Sequence, residues 1–278
     1  MASQKTAVIE YLFMKYWNEQ ERCLDKSIMT MADVTAAIRH CNKVYGSNLS
    51  TNNVANFMKD IVRGRGASSN WPESVASLRY TAVQRTGRDK RVFEFIPYSE
   101  GQVEPFPDIY LPGPQTEEFP LQSISMTLAS KSLGRQDEPW LIQTAVNLRV
   151  IETHFAVASQ IDMRQLTHLQ MSVKLRNTEI DALFLGVVGD ESVEAIVTCE
   201  AKQYKERILE HQIVEQVKSA FDQTDKDLVI PIGLRAVRHV GFYVAEFQAV
   251  SRDELDMFEE LTLARDAVYR LSPPVPGV

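Results

Sequence analysis

Signatures of membranes, zinc, nucleotides and acyl chemistry are all missing from this 278-residue sequence. No apolar run approaches the roughly 20 residues that a bilayer-spanning helix needs. The opening MASQKTAVIEYLF lacks the basic-then-apolar layout of a secretory signal. Cysteine is scarce: Cys23, Cys41 and Cys199 stand far apart, with neither CxxC spacing for zinc nor an even count for a disulfide framework. There is no GxxxxGK loop, so neither a P-loop motor nor a nucleotide cofactor is expected. GxSxG and HExxH are also missing, which removes the nucleophile-elbow hydrolases and the zinc peptidases. A cytoplasmic protein, with no membrane partner, is the expectation that remains.

What is present is unevenly charged. The net charge is −7, yet residues 1–98 carry 14 basic and 9 acidic side chains, a net of +5. The remaining 180 residues carry 16 basic and 28 acidic side chains, a net of −12. Phosphate binding depends on local basic surface, so the first third is the candidate for nucleic acid. An acidic second part suits a site that gathers carboxylates around a divalent cation. A hydrophobic content of 44% with 24% charged residues is that of globular domains.

Proline divides the chain. Six of the twelve prolines fall in residues 97–120, a density that predicts a stiff, extended linker over 99–138 between domains at 1–98 and 139–278. Before the linker, Val8, Ile9, Leu12, Phe13, Tyr16 and Trp17 predict a helix over residues 5–22. A second is expected over about Met31–Tyr45 with Gly46 as its stop, and a third from a cap at Ser50 or Thr51 through Arg63. RYTAVQ, a turn at Thr86–Lys90 and RVFEFIP then predict a hairpin.

Three helices followed by a basic-tipped hairpin resemble a winged helix-turn-helix. That resemblance implies a third helix in the major groove, with Thr51, Asn52, Asn53, Asn56 and Lys59 facing DNA. Asparagine pairs well with adenine, while Arg85, Arg88, Lys90 and Arg91 on the wing would grip phosphate. The asparagines also suit a plain helix start, and the arginines a solvated face.

The second part carries the chemistry. A helix is expected over 140–159 with Ile142, Ala145, Leu148, Phe155 and Ala156 on one stripe, and Glu152 on that same stripe. Strands over about Leu169–Leu175 and Ile180–Val188, a turn at Gly189-Asp190 and a strand EAIVTCEAK follow. Alternation places Glu200 and Lys202 on one face of the last strand. The 18 residues between Asp181 and Glu200 are enough for a hairpin that brings Asp181 beside them. Two carboxylates and a lysine at a sheet end make a hard-cation site with a positive charge attached. Gln216 lies on the inward stripe of ILEHQIVEQVKSAF with Leu209, Ile213 and Ala220. His154, His168 and His211 share no metal-ligand spacing and are expected as surface or packing residues. Tyr204, Lys205 and Arg207 either touch DNA or face water.

EIDALFLGVV followed by VTCEAK resembles the PD-(D/E)xK nuclease superfamily over about residues 140–250, with Ile180 where proline is usual. The resemblance implies an α/β (α+β) core, a mixed sheet flanked by helices, behind a mainly helical winged-helix domain. It implies Mg²⁺ (Mn²⁺ as a substitute) held by Asp181 and Glu200, Lys202 polarising the attacking water, and supporting roles for Glu152, also as a metal ligand, and Gln216. Hydrolysis of double-stranded DNA by a type II-like restriction endonuclease is the implied activity. Cutting both strands implies a homodimer, for which helices near Asp253–Leu271 are candidate contacts. A structure-specific or modification-specific nuclease of repair or defence, and a DNA-binding regulator with a silent nuclease fold, are the alternatives.

Overall fold

The computed structural model describes residues 3–63, 67–86, 91–174, 178–258 and 260–278. For Arg63, Ser68, Ser69, Arg85, Thr86, Arg91, Val92 and Asp256 only the backbone is described. Two units result, Met1–Pro107 and Asp108–Val278.

In the first unit, the helix expected over residues 5–22 ends early. α1 covers Gln4–Tyr16 and buries Val8, Ile9, Leu12 and Phe13. Trp17 is already extended, and Asn18 Oδ1 accepts from the amides of Gln20 and Glu21 at 3.1 Å each. That side-chain turn competes with helix, and the chain folds back through β1 (Trp17–Asn18) and β2 (Cys23–Leu24). After β3 (Ile28–Met29) comes α2 (Met31–Tyr45), with Gly46 at φ 66° as its left-handed stop. A capping box opens it: Asp33 N donates to Thr30 Oγ1, and Thr30 N donates to Asp33 Oδ2 at 2.8 Å. α3 (Val54–Arg63) starts later than Ser50 or Thr51 would set it, because Asn53 Oδ1 caps it by accepting from Asn56 N at 3.1 Å. Two short helices that periodicity did not reveal, α4 (Ala67–Asn70) and α5 (Glu73–Ser77), precede β4 (Tyr80–Thr86) and β5 (Arg91–Pro97). β4 and β5 form the expected hairpin, and β3 adds to its β5 edge. Residues 87–90 of the expected turn, with Arg88 and Lys90, lie outside the described residues. Phe13 and Phe95 meet edge to face at 5.2 Å inside this unit's core, beside Trp71 and Phe93. Each such buried ring contributes about 1.5–3 kcal/mol.

The extended linker expected over residues 99–138 is instead divided between the units, with 99–107 in the first and 108–138 in the second. β6 (Glu117–Gln122) joins the second unit's sheet and α6 (Leu128–Ser132) follows. Pro120 is tolerated because β6 is an edge strand, where a missing N–H interrupts little. The single helix expected over 140–159 is two, α7 (Glu138–Asn147) and α8 (Val150–Val157), broken where Arg149 takes φ 54°. β7 (Met163–Lys174), β8 (Glu179–Val188) and β9 (Val193–Lys202) form an antiparallel meander. α9 (Glu210–Gln223) crosses to β10 (Leu228–Val237), which lies parallel to β9. β11 (Gly241–Phe247), the short β12 (Val250–Ser251) and β13 (Leu263–Ser272) complete the sheet. The order is β6-β13-β11-β10-β9-β8-β7, with β12 on β10. Residues 253–271, expected as helices, are a 3-10 turn at Arg252–Met257 and the strand β13, whose Ala267, Val268 and Tyr269 are buried in the sheet.

The sheet is covered on both faces, which is why β10 reads as an almost unbroken buried run. α7 and α8 bury Leu141, Ala145, Ile151 and Phe155 in one cluster with Val197, Cys199 and Ala201 of β9. On the other face, Val217, Ala220 and Phe221 of α9 pack on Ile196 and Val229. At this coarse level the expected class holds: an α+β chain with a large mixed sheet and a helical N-terminal region. Among the described residues no helix is long and apolar enough to cross a membrane.

Candidate active site

The β8–β9 ladder ends at the pair Ala182–Cys199. The next residue on each strand is Asp181 and Glu200, and β9 continues to Lys202. Side chains alternate along β9, so with Cys199 and Ala201 committed to α7 and α8, Glu200 and Lys202 project toward α9. Glu200 is 2% exposed and Lys202 9%, so each charge must find partners within the protein. Lys202 Nζ lies 2.6 Å from Glu200 Oε1 and 2.8 Å from Glu138 Oε1. Gln216 Nε2, from α9, donates a short hydrogen bond to Glu200 Oε2 and a second to Glu179 O at 2.9 Å. Asp181 Oδ2 accepts from Ala201 N at 2.8 Å, which ties the first strand to the second.

These contacts set unequal charges. Burial, and then the neighbouring Glu200 carboxylate, push Asp181 up to about 8; Lys202 and the Ala201 amide only partly offset them. Burial alone would lower Lys202, but Glu200, Glu138 and Asp181 outweigh it and hold the ammonium charged well beyond the ordinary lysine range. The cluster therefore sets a firm cation beside a carboxyl group that holds its proton more tightly than an ordinary aspartate.

Among the described residues no three Asp, Glu, His or Cys side chains already form a metal cage. The donor chemistry nevertheless fits a hard divalent cation. Asp181 and Glu200 offer carboxylate oxygens from adjoining strands, and Gln216 Oε1 and Thr198 Oγ1 are buried oxygens without a hydrogen-bond partner among the described residues. A divalent charge there would also relieve the repulsion that raises Asp181.

Comparison with protein-family models, curated proteins and solved structures finds no match.

The cluster thus unites Asp181, Glu200, Lys202 and Gln216. Glu152 stands apart from it. Burial raises its pKa against the pull of Arg149, and its Oε2 is buried without a partner among the described residues. Glu152 belongs to α8, which packs on the sheet face away from Glu200 and Lys202. Glu138 takes the place beside Lys202 and was missed because it opens α7 inside the expected linker. The signal for it was Asp137, whose Oδ1 accepts from Trp140 N at 3.0 Å as a helix cap, followed by Glu138 and Pro139 in the first turn. Arg235, opposite Lys202 on β10, was also missed; it is buried and salt-bridged to Asp108 at 2.7 Å.

In the first unit, Asn52, Asn53, Asn56 and Lys59 are exposed and Thr51 is half-buried. Asn53 spends its side-chain oxygen on capping α3. Arg85 and Arg91 are described by backbone alone. His154 is fully buried, bonded to Tyr269 Oη at 2.9 Å and Glu246 Oε2 at 3.0 Å, and His168 stacks edge-on to Phe184.

Proposed function

We propose that this chain is a divalent-metal-dependent endonuclease that hydrolyses DNA phosphodiesters in the manner of a type II restriction enzyme. The observation that carries this reading is the meeting of Asp181, Glu200 and Lys202 at the adjoining ends of β8 and β9. Asp181 and Glu200 would hold Mg²⁺, or Mn²⁺ in its place. When bound, such an ion supplies Lewis acidity to phosphate oxygens and makes bound water a better nucleophile. Lys202 keeps its proton at neutral pH, so its part is to donate: it orients the attacking water and stabilises charge growing on the phosphate. Glu138 and Glu200 aim its ammonium, and Gln216 fixes the second oxygen of Glu200. Water loses a proton to solvent as it adds to phosphorus, and the bond to the 3′ oxygen breaks as that oxygen takes a proton from solvent, leaving 5′-phosphate and 3′-hydroxyl ends.

The order helix, hairpin with Asp and Glu-x-Lys, helix supports a PD-(D/E)xK core. The first unit supports a winged helix: α1, α2 and α3, then the β4–β5 hairpin with β3 against it. Its α3 presents Asn56 and Lys59 on an exposed face suited to double-stranded DNA. A homodimer would supply the second active site that a double-strand break needs.

One observation favours a second reading, a DNA-binding regulator with a silent nuclease fold. Lys202 already occupies an oxygen of Glu200 that a metal would use. Incubation of long DNA with Mg²⁺, followed by sequencing of the ends, separates the two. Discrete fragments that vanish with a chelator and with Lys202→Ala, while DNA binding persists, are expected. Binding without cutting in either Mg²⁺ or Mn²⁺ gives the regulator.

A further inference from the structure

Just past the catalytic cluster the second unit holds a cavity of about 270 Å³ that the chemistry above does not use. Tyr204, two residues beyond Lys202, forms part of its wall, together with Gln136, Arg238, His239, Val275 and Pro276. Its far side is held firmly. Trp140 Nε1 donates to Pro276 O at 2.9 Å, and a Cβ on Gly277 would lie 1.9 Å from Arg135 O. Its cationic side comes from the β10–β11 turn, closed by Val240 N donating to Val237 O at 2.9 Å, with His239 at φ 63°. Arg238 lies 5.5 Å over the Tyr204 ring and Lys205 lies 5.4 Å from the same ring. Gln203, between Lys202 and Tyr204, donates to Asp137 O at 2.9 Å, which ties this wall to the start of α7.

We propose that this cavity receives one nucleotide of the DNA strand beside the bond being cut, its base unstacked from the duplex and its phosphate on Arg238. The inference rests on the nuclease reading. The lining is largely apolar with the Arg238 cation in its wall, which matches a planar base joined to a phosphate better than it matches a free anion. The space equals roughly nine water molecules, enough for one base. An aromatic wall and a guanidinium provide the stacking surface that extruded or single-stranded bases use.

The test is a set of duplexes carrying 2-aminopurine at successive positions, bound by the full-length Lys202→Ala chain, with cutting by wild type read in parallel. Emission at one position next to the cut is expected to rise several-fold. Gln136→Trp, which fills the cavity from an exposed position, should return it to the free-duplex level without changing the melting temperature. Arg238→Ala should weaken binding about tenfold through the lost phosphate contact. Emission that stays flat at every position, or a rise that survives Gln136→Trp, overturns the proposal. Cutting with flat emission removes the pocket and leaves the nuclease; unstacking without cutting by wild type does the reverse; failure of both removes both.

Discussion

Asp33 and Asp181 belong to different units, and each stands at the end of a regular element, yet their surroundings act on them in opposite directions. Partial burial works against the charge of Asp33, but Lys26, the Thr30 hydroxyl and the Thr30 amide all donate to its carboxylate and hold it down to about 2. Asp181 has a single amide donor and faces another carboxylate, and it rises to about 8. The capping acid stabilises the fold it sits in. The acid in the sheet destabilises the ionised fold, and groups with that property concentrate where chemistry is done.

The largest effect that could break this contrast is expected from Asp181→Asn. Cutting should fall about 1,000-fold or more, equivalent to about 4 kcal/mol in the barrier, while the metal-free chain becomes more stable at pH 8. The sign follows from proton binding: between the ordinary aspartate value near 3.8 and about 8, the folded chain holds a proton that the unfolded chain releases. Stability from this group is therefore full at low pH and is lost as pH rises toward 8, by at most about 1.4 kcal/mol per pH unit. Melting curves of wild type and Asp181→Asn from pH 4 to 9 check it. The difference between them should grow with pH and shrink when Mg²⁺ is added.

Asp33→Asn should do the opposite at a smaller scale. Its contribution is present above pH 4 and disappears as pH falls toward 2, so at pH 7 the variant should lose about 1–2 kcal/mol in urea unfolding. Its catalytic rate should stay at the wild-type level.

The smallest effect sharpens the site itself. Glu138→Gln should slow cutting about tenfold, or about 1.4 kcal/mol, by loosening the aim of Lys202. Glu152→Gln should leave the rate unchanged and raise stability slightly, since a buried acid is made neutral. Single-turnover rates decide between the two glutamates, and a larger loss from Glu152→Gln would reverse their assignment.

Most of the second unit's order was legible because local rules and tertiary packing agree there. Alternation in EAIVTCEAK assigns Cys199 to one face and Glu200 with Lys202 to the other, and the sheet keeps that assignment. Gln216 was legible as one inward position in the stripe of α9, although its bond to Glu200 was not. Glu138 was hidden because nothing in a strand's periodicity points to a residue 64 positions away in the chain. Glu152 was placed by carrying a helical stripe through Arg149, whose left-handed backbone no stripe encodes. β6 escaped because proline density excludes regular helix and predicts an extended linker, whereas at a sheet edge an extended, proline-bearing segment can pair as a strand.

The pairing of β6 with β13 joins Glu117 to Ala267 across 150 residues of chain. At about 5–20 residues per second on the ribosome, β6 waits roughly 8 to 30 seconds for its neighbour. During that interval it is an open edge able to recruit a strand from another nascent chain. Pro120 cannot donate the hydrogen bond that such recruitment requires, so the residue that disguises the strand also protects it from aggregation while it waits.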